Sequence, residues 1–278
     1  MKQLFDKVSA RTSKVVTRTY STSFSLGIFC LDKKIHEAIY GIYGFVRLAD
    51  EIVDSFHEYD KKALLEELKK DTWLSIERGI SLNPVLNSFQ QVVNHYKIEH
   101  DLITCFLNSM EADLTQQFHD RESFNTYILG SAEVVGLMCL HVFTENNKAL
   151  YRHLKPSAMR LGAAFQKVNF LRDMRADLLH LGRAYFPDVD MTRFSQFDKL
   201  RIEAEIEEDF KEALKGIKQL PRSSKFGVYV AYVYYYSLFR KIKETSHSHI
   251  MSARIRISNP RKLGLLATTY LRHNMNLL

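Results

Sequence analysis

Two aspartate pairs, each with four-residue spacing, constrain this chain more than any other feature of its sequence. Asp50 and Asp54 lie in one stretch of helical apolar periodicity, and Asp173 and Asp177 lie in another. At about 100° per residue, side chains four positions apart share one helix face, about 6 Å apart along the axis. Paired carboxylates on a half-buried face repel each other and resist desolvation. The fold must therefore place a positive charge between the two faces. The first candidate is a divalent cation that binds the carboxylates together with a phosphate group.

Helix-forming sequence fills most of the remaining chain. Only 11 glycines and 5 prolines occur in 278 residues, and apolar side chains recur at three- and four-residue spacing between them. This pattern is typical of amphipathic helices. After a polar opening helix within residues 1–30, it predicts helices over residues 33–56, 60–80, 85–97, 100–118, 121–144, 157–179, 195–219, 223–246 and 260–275. No long polar linker interrupts the series, so we predict one all-α domain over residues 1–278, with roughly eight to ten helices.

The chain is basic, with a formal net charge of +7 from 39 Lys and Arg against 32 Asp and Glu. Basic residues are scattered, and the densest group lies near the C-terminus: Arg254, Arg256, Arg261, Lys262 and Arg272. No nucleic-acid-binding motif accompanies them, so we expect no nucleic-acid partner. Anionic lipid, a diphosphate substrate or a merely basic solvated surface would each account for the sign of the charge.

Cysteine usage and hydropathy indicate the compartment. Cys30, Cys105 and Cys139 are far apart and lack metal-ligand spacing, which is typical of buried free thiols in a reducing environment. The first residues lack the apolar segment of a signal peptide, and no run of about 20 apolar residues predicts a membrane span. We therefore expect a cytoplasmic protein.

Each aspartate pair belongs to a longer polar stripe. On a helical wheel of about 100° per residue, the first stripe holds Tyr43, Arg47, Asp50 and Asp54. The second holds Gln166, Asn169, Asp173 and Asp177, with Arg172 to one side. The alternative interpretation is that these residues form ordinary surface ion pairs. A chain with only one aspartate pair would favour that alternative. Two matching stripes favour a metal and diphosphate site instead.

A carbocation formed by loss of diphosphate needs a dry cavity with aromatic walls. One helix is rich enough in tyrosine to supply them: Tyr229, Tyr232, Tyr234, Tyr235 and Tyr236. Taken alone, this pattern is more typical of ordinary core packing.

The motifs around these residues resemble those of the squalene/phytoene synthase family, the head-to-head prenyl-diphosphate synthases. The resemblance runs from about residue 20 to residue 262. Its anchors, in order, are Ser-Thr-Ser-Phe at 21–24, the first stripe at 43–54, the second at 166–177 and Arg-Ala-Tyr-Phe-Pro at 183–187. It implies an all-α isoprenoid-synthase fold in which both aspartate motifs face a central cavity.

The resemblance also implies roles for individual residues. Metal ligands for Mg²⁺, or Mn²⁺ as a substitute, would be Asp50, Asp54, Asp173 and Asp177, with Asn169 in the metal shell. Substrate-binding residues would be Ser23, Tyr43, Arg47, Gln166, Asn169, Arg172 and Arg254. Tyr43 and Arg47 would join the four aspartates in catalysis, and Asp113 is similar to a further family acid. Glu51 replaces the aspartate of many members. Glu133 replaces a small residue near the expected cavity wall, either as a solvent-side substitution or as a change to the chain-length tunnel.

The activity that the resemblance implies is condensation of two geranylgeranyl diphosphates to phytoene through a cyclopropylcarbinyl diphosphate, with no need for NADPH. The Asp-Glu-x-x-Asp motif and the chain length are most similar to bacterial phytoene synthases. A C15-using dehydrosqualene or squalene synthase is the nearest alternative. A non-catalytic assembly factor is disfavoured because all four aspartates remain. Peripheral membrane contact fits the greasy substrates, and the sequence leaves the oligomeric state open.

Overall fold

Helices form the regular structure throughout the part of the chain that the computed structural model describes, residues 1–115, 120–176, 185–187, 189 and 194–274. The first helices are α1 (Lys2–Tyr20), α2 (Thr22–Phe29), α3 (Lys33–Ser55), α4 (Lys61–Arg78), α5 (Pro84–Tyr96), α6 (His100–Ala112) and α7 (Arg121–Ile128). A π-helical turn, Leu129–Glu133, joins α7 to α8 (Val134–Phe143). The remaining helices are α9 (Lys148–Ala176), α10 (Gln196–Ile217), α11 (Arg222–Lys243), α12 (His247–Ile250) and α13 (Asn259–Asn274). The predicted all-α class is confirmed.

Capping side chains set several of these boundaries. Asp32 accepts the backbone N–H of Lys34 at the start of α3, and Ser195 and Asp198 form a reciprocal capping box on α10. Gly79 ends α4 with φ 68°, a left-handed conformation that glycine adopts without strain.

The predicted start of a helix at residue 157 is wrong, because α9 begins at Lys148 and continues through Pro156. Packing of α9 against α8 and α10 outweighs the backbone hydrogen bond that proline removes.

The predicted helix over residues 121–144 is interrupted by the π-helical turn. A π turn inserts an extra residue and shifts the side chains that follow it around the helix axis. The turn packs closely on its neighbours, since a Cβ built on Gly130 would lie 2.8 Å from the Cys105 carbonyl oxygen. A Cβ built on Gly162 of α9 would lie 2.6 Å from the Ala132 carbonyl oxygen. Glycine at both positions therefore permits the close approach of α6, the π turn and α9.

Gly162→Ala is expected to lower the free energy of unfolding by about 1–3 kcal/mol, because backbone atoms on both sides must move apart. Gly264→Ala on α13 is the matched control, since nothing lies within 4 Å of its added methyl group. The control should be neutral or stabilising by about 0.5–1 kcal/mol, through helix propensity. Urea unfolding of the two variants measures the difference, and equal stabilities would contradict the close packing.

Residues Arg121–Phe143 form the one stretch, within the described residues, that is long and apolar enough by composition to cross a membrane. In the structure 44% of its most apolar window is buried. Eight of its side chains line the central cavity: Tyr127, Ser131, Ala132, Val135, Gly136, Cys139, Leu140 and Phe143. Its apolar character is therefore that of a core helix.

Candidate active site

A cavity of about 580 Å³ lies among α2, α3, α8, α9 and α11. Helix α8 packs against both α3 and α9, so the two polar stripes line the cavity from different helices. Predicted site residues on its wall are Tyr43, Arg47, Asp50, Asp54, Gln166, Asn169, Arg172, Asp173 and Arg254. Asp177 lies outside the described residues, and so does Arg183 of the fourth motif. The polar stripes thus share one cavity, as the sequence predicts.

The first aspartate pair lies beside a fixed arginine. Arg47 is ion-paired with Glu51 one turn further along α3, and its Nη1 lies 3.9 Å from the Asp50 carboxylate. Its guanidinium also lies 4.3 Å from the centre of the Tyr20 ring, a cation–π contact. Glu51 therefore holds Arg47, which explains how the replacement of aspartate by glutamate at this position is accommodated.

The Asp50 carboxyl has a raised pKa because it is buried and lies near a second carboxylate. Burial and, next, repulsion from Asp54 raise the pKa of the Asp50 carboxyl, Arg47 lowers it, and the net value is about 7. The side chain lines the cavity and is 33% accessible, so solvent in the cavity moderates the effect. A cation bound between Asp50 and Asp54 would relieve this repulsion.

Asp113 is a third acid at this end of the cavity. It is 8% exposed, and Tyr127 donates a hydrogen bond to its Oδ2 at 2.6 Å. Its charge also raises the pKa of Asp50. Asp113 and Tyr127 both line the cavity, so the weaker sequence resemblance at Asp113 corresponds to a position in the site.

On the opposite wall, two arginines bind Asp173. Arg172 donates to its carboxylate from the neighbouring position on α9. Arg254 reaches it from the segment after α12, with Nε 2.6 Å from Oδ1 and Nη2 3.2 Å from Oδ2. Arg175 donates to the Ser252 carbonyl and ties the same segment to α9. The structure therefore gathers an acid and two arginines where an anionic leaving group could be received.

On α3 and α9 the charged wall residues all follow Tyr43 and Phe165, and the wall residues before those rings are uncharged, so aromatic rings lie between a polar end and an apolar end. Phe165 and Tyr235 stack with ring centres 3.9 Å apart, and Phe24 lies 5.9 Å from Tyr235 and 5.5 Å from Tyr43. The Tyr235 hydroxyl donates to Asn169 Oδ1 at 3.4 Å. Burial raises the pKa of Tyr43 to about 12. These rings stay neutral near pH 7, and their faces can stabilise a cation.

Beyond the aromatic rings, the cavity wall carries no charged side chain among the described residues. Small residues widen this end: Gly27, Gly136, Ala158, Gly162, Ala213, Gly216, Gly227 and Ala231. Bulky side chains also line it, including Leu31, Phe143, Leu154 and Leu220. An apolar chain fits this end, because it would exchange water for hydrocarbon contacts.

Some sequence expectations need correction. Ser21, and not Ser23, lines the cavity, and Ser21 also caps α2 by accepting the backbone N–H of Phe24. Glu133 is not a wall residue, since it faces the charges of Asp209, Arg160 and Lys167, and burial raises its pKa.

Of the five tyrosines on α11, only Tyr235 is on the cavity wall. Tyr229, Tyr232 and Tyr236 stack on one another instead, and Tyr236 donates to Glu207 on α10. Tyr234 donates to the Lys262 carbonyl. The three cysteines are free thiols, as predicted, but each is half-buried rather than fully buried. Cys139 lines the cavity, and burial raises its pKa to about 12, so the thiol stays protonated.

Sequence reasoning did not single out Tyr20 or Tyr185 as site residues, although both line the cavity. Tyr185 belongs to the fourth motif and stacks on Phe170 at 3.9 Å. Because Tyr185 lies within that motif, the sequence did contain a signal for its place in the site. Tyr20 carried no such signal, because its role depends on where α1 ends relative to Arg47.

The donor set fits Mg²⁺ bound together with a substrate. No group of three or more His, Cys, Asp or Glu side chains converges into a metal site among the described residues. Carboxylate oxygens are the hard ligands that Mg²⁺ prefers, and protein Mg²⁺ sites commonly use one or two carboxylates with phosphate and water. Asp50 and Asp54 match that pattern, and Asp173 offers a further carboxylate on the facing wall.

The chain is similar in sequence to one family of known proteins. The family model described as squalene/phytoene synthase matches residues 17–261. The chain is 24% identical to chloroplastic phytoene synthase 1 of Solanum lycopersicum over 92% of its own length, and it spans 66% of that relative. It is 25% identical to the 15-cis-phytoene synthase of Synechocystis sp., over 92% of this chain and 83% of the relative.

Two solved structures show the same fold. A dehydrosqualene synthase in complex with ligand superposes with a TM-score of 0.83 at 22% identity, covering 98% of this chain and 99% of the other. Squalene synthase HpnC from Alicyclobacillus acidocaldarius superposes with a TM-score of 0.74 at 18% identity, covering 86% and 94%. The predicted isoprenoid-synthase fold is therefore confirmed.

Proposed function

The chain belongs to the squalene/phytoene synthase family, and we propose that within this family's head-to-head prenyltransferase chemistry it condenses two geranylgeranyl diphosphates to phytoene. The proposal is supported most by one observation, a single cavity with both aspartate stripes at one end and an uncharged wall at the other. The relatives at 24–25% identity are phytoene synthases, which favours the C20 substrate.

Each part of the cavity has a task in this reaction. The Asp50 and Asp54 carboxylates would hold Mg²⁺, and Asp173 and Asn169 would complete the set from α9. Asp177, which lies outside the described residues, belongs to the same proposed set on its sequence motif. The metal supplies charge neutralisation for the departing diphosphate. Arg47, Arg172 and Arg254 donate hydrogen bonds to its oxygens. Arg254 and Arg172 leave Asp173 for the diphosphate as the substrate binds.

The carbon chemistry takes place at the aromatic rings. Loss of the first diphosphate leaves an allylic cation beside Phe24, Phe165 and Tyr235, whose ring faces stabilise it and whose packing excludes water. The second substrate's double bond attacks that cation and loses a proton, which closes the cyclopropylcarbinyl diphosphate. Loss of the second diphosphate, rearrangement and a final proton loss give phytoene. No electrons are gained from outside, so the sequence of steps needs no NADPH.

Purified protein given geranylgeranyl diphosphate and Mg²⁺ is expected to form a C40 hydrocarbon with release of two diphosphates per product. EDTA should stop the reaction, and Mn²⁺ should restore part of it. Mass spectrometry after incubation with an equal mixture of C15 and C20 diphosphates, with and without NADPH, identifies the preferred substrate. A C30 product alone would replace the C20 assignment with the dehydrosqualene or squalene reaction. No hydrocarbon from either substrate would support a non-catalytic family relative.

A further inference from the structure

Helix α1 buries three small hydroxyl side chains and exposes three aliphatic ones, Leu4, Val8 and Val15. Ser9, Ser13 and Thr17 are each 0% exposed, whereas Leu4 is 66% exposed and Val15 is 63% exposed. Ordinary surface helices bury the aliphatic face. The exposed aliphatic side chains of α1 therefore call for a physical explanation.

Close packing fixes this orientation. Helix α1 packs on α3 and α5, and a Cβ built on Gly44 of α3 would lie 3.0 Å from the Ser13 side chain. The Ser9 and Thr17 hydroxyls donate to backbone carbonyls within α1, and Asn87 of α5 donates to Ser9 Oγ at 3.0 Å. Larger side chains would not fit this interface. The aliphatic side chains therefore stay outward by the geometry of the fold.

The outward face combines two adjacent rows. At about 100° per residue, Leu4, Val8 and Val15 fall within about 40° of one another around the helix. A row of exposed basic side chains, which itself spans about 60°, lies next to the aliphatic row: Lys7, Arg11, Lys14 and Arg18. Lys14 also lies 5.7 Å from the centre of the Tyr40 ring. Asp6, the one acid of α1, is turned toward Asn87, so its charge does not lie in the basic row.

We propose that this outward face of α1 docks the protein on an anionic lipid bilayer. A basic row beside an aliphatic row is the pattern by which a helix lies in the interface, with cations at the headgroups and apolar side chains below them. A second copy of the chain is a poor occupant, because two such faces would bring eight cations together. Nucleic acid would match the basic row and would leave the aliphatic row in water.

Docking at α1 would also place the cavity at the membrane. Tyr20, the last residue of α1, lines the polar end of the cavity and stacks on Arg47. Helix α1 is therefore continuous with the wall that would receive diphosphate groups. Only this delivery of substrate rests on the proposed function, since the lipid contact follows from α1 alone.

Vesicle sedimentation tests the proposal without substrate. The full chain should bind phosphatidylglycerol–phosphatidylcholine vesicles, should bind phosphatidylcholine vesicles at least about tenfold less, and should be released by 0.5 M salt. Replacing the basic row with Lys7→Gln, Arg11→Gln, Lys14→Gln and Arg18→Gln should lower partitioning about 10²–10³-fold. Leu4→Ser, Val8→Ser and Val15→Ser together should lower it at least about tenfold.

The matched control is Leu263→Ser with Leu271→Ser on α13, two exposed side chains beside the late basic group. This control should bind vesicles as the unchanged protein does. Loss of binding in the α13 control with retention in both α1 variants would overturn the proposal, as would equal binding to neutral vesicles. Loss of self-association in the α1 variants without loss of vesicle binding would assign the face to a second copy instead. Circular dichroism checks the fold, and Arg11→Glu replaces the quadruple variant if that variant unfolds.

Discussion

Asp54→Ala is expected to lower kcat about 10³-fold while leaving the helical fold intact. The carboxylate lines the polar end of the cavity, and its proposed task is to hold the metal that neutralises the leaving diphosphate. Deleting it removes an interaction that strengthens as the diphosphate departs, so kcat should fall more than KM rises. Steady-state kinetics with geranylgeranyl diphosphate measures both constants.

Glu37→Ala is the matched control for that experiment. Glu37 lies on the same helix, α3, but is exposed and outside the cavity. Its removal should change kcat less than about twofold, because surface substitutions have small effects. Full activity of Asp54→Ala would contradict the proposed ligand role, and an equal loss in Glu37→Ala would point to general damage to α3. Isothermal titration with Mg²⁺ and inorganic diphosphate gives a second readout, in which Asp54→Ala alone should lose binding.

Asp50→Asn is expected to abolish turnover and yet to stabilise the metal-free protein. The folded-state pKa of Asp50, about 7, lies above its ordinary value of 3.8. The stability that protonated Asp50 contributes is therefore fully present below about pH 4 and is lost as the pH rises to about 7. Asparagine does not titrate, so it makes no pH-dependent contribution to the free energy of unfolding at this position. Because a third of the side chain is accessible, the expected gain above pH 7 is about 1–3 kcal/mol rather than the full value for a shift of this size.

Urea unfolding of both proteins at pH 4, 6 and 8 measures this effect. The gain from Asp50→Asn should be close to zero at pH 4, should grow to pH 7 and should then stay constant. Mg²⁺ with inorganic diphosphate should reverse the order at pH 8, since the ligands bind only the unchanged protein and stabilise it by mass action. A gain that is independent of pH would contradict the buried, repelled carboxyl, and Glu37→Gln should show no gain at any pH.

Much of the site was predictable because helical periodicity is local information. Four residues on α3 and four on α9 lie on the cavity wall where the wheel pattern placed them. The pattern could not choose between Ser21 and Ser23, because that choice depends on where α2 begins. It could not select Tyr235 among the five tyrosines of α11 either. Every tyrosine of α11 is compatible with burial. Only the packing of α10 against α11 decides which tyrosines contact α10 and which one lies on the cavity wall.

The sequence by itself determined the helical class, the two acidic stripes and the family, because each depends on residue types at fixed spacing along the chain. The tertiary structure alone decided that Tyr20 joins the site, that Glu133 faces away from it, and that α1 buries its hydroxyl face. These outcomes depend on how closely helices approach one another. That distance is set by small side chains such as Gly44 and Ser13 from separate parts of the chain, and no local pattern encodes it.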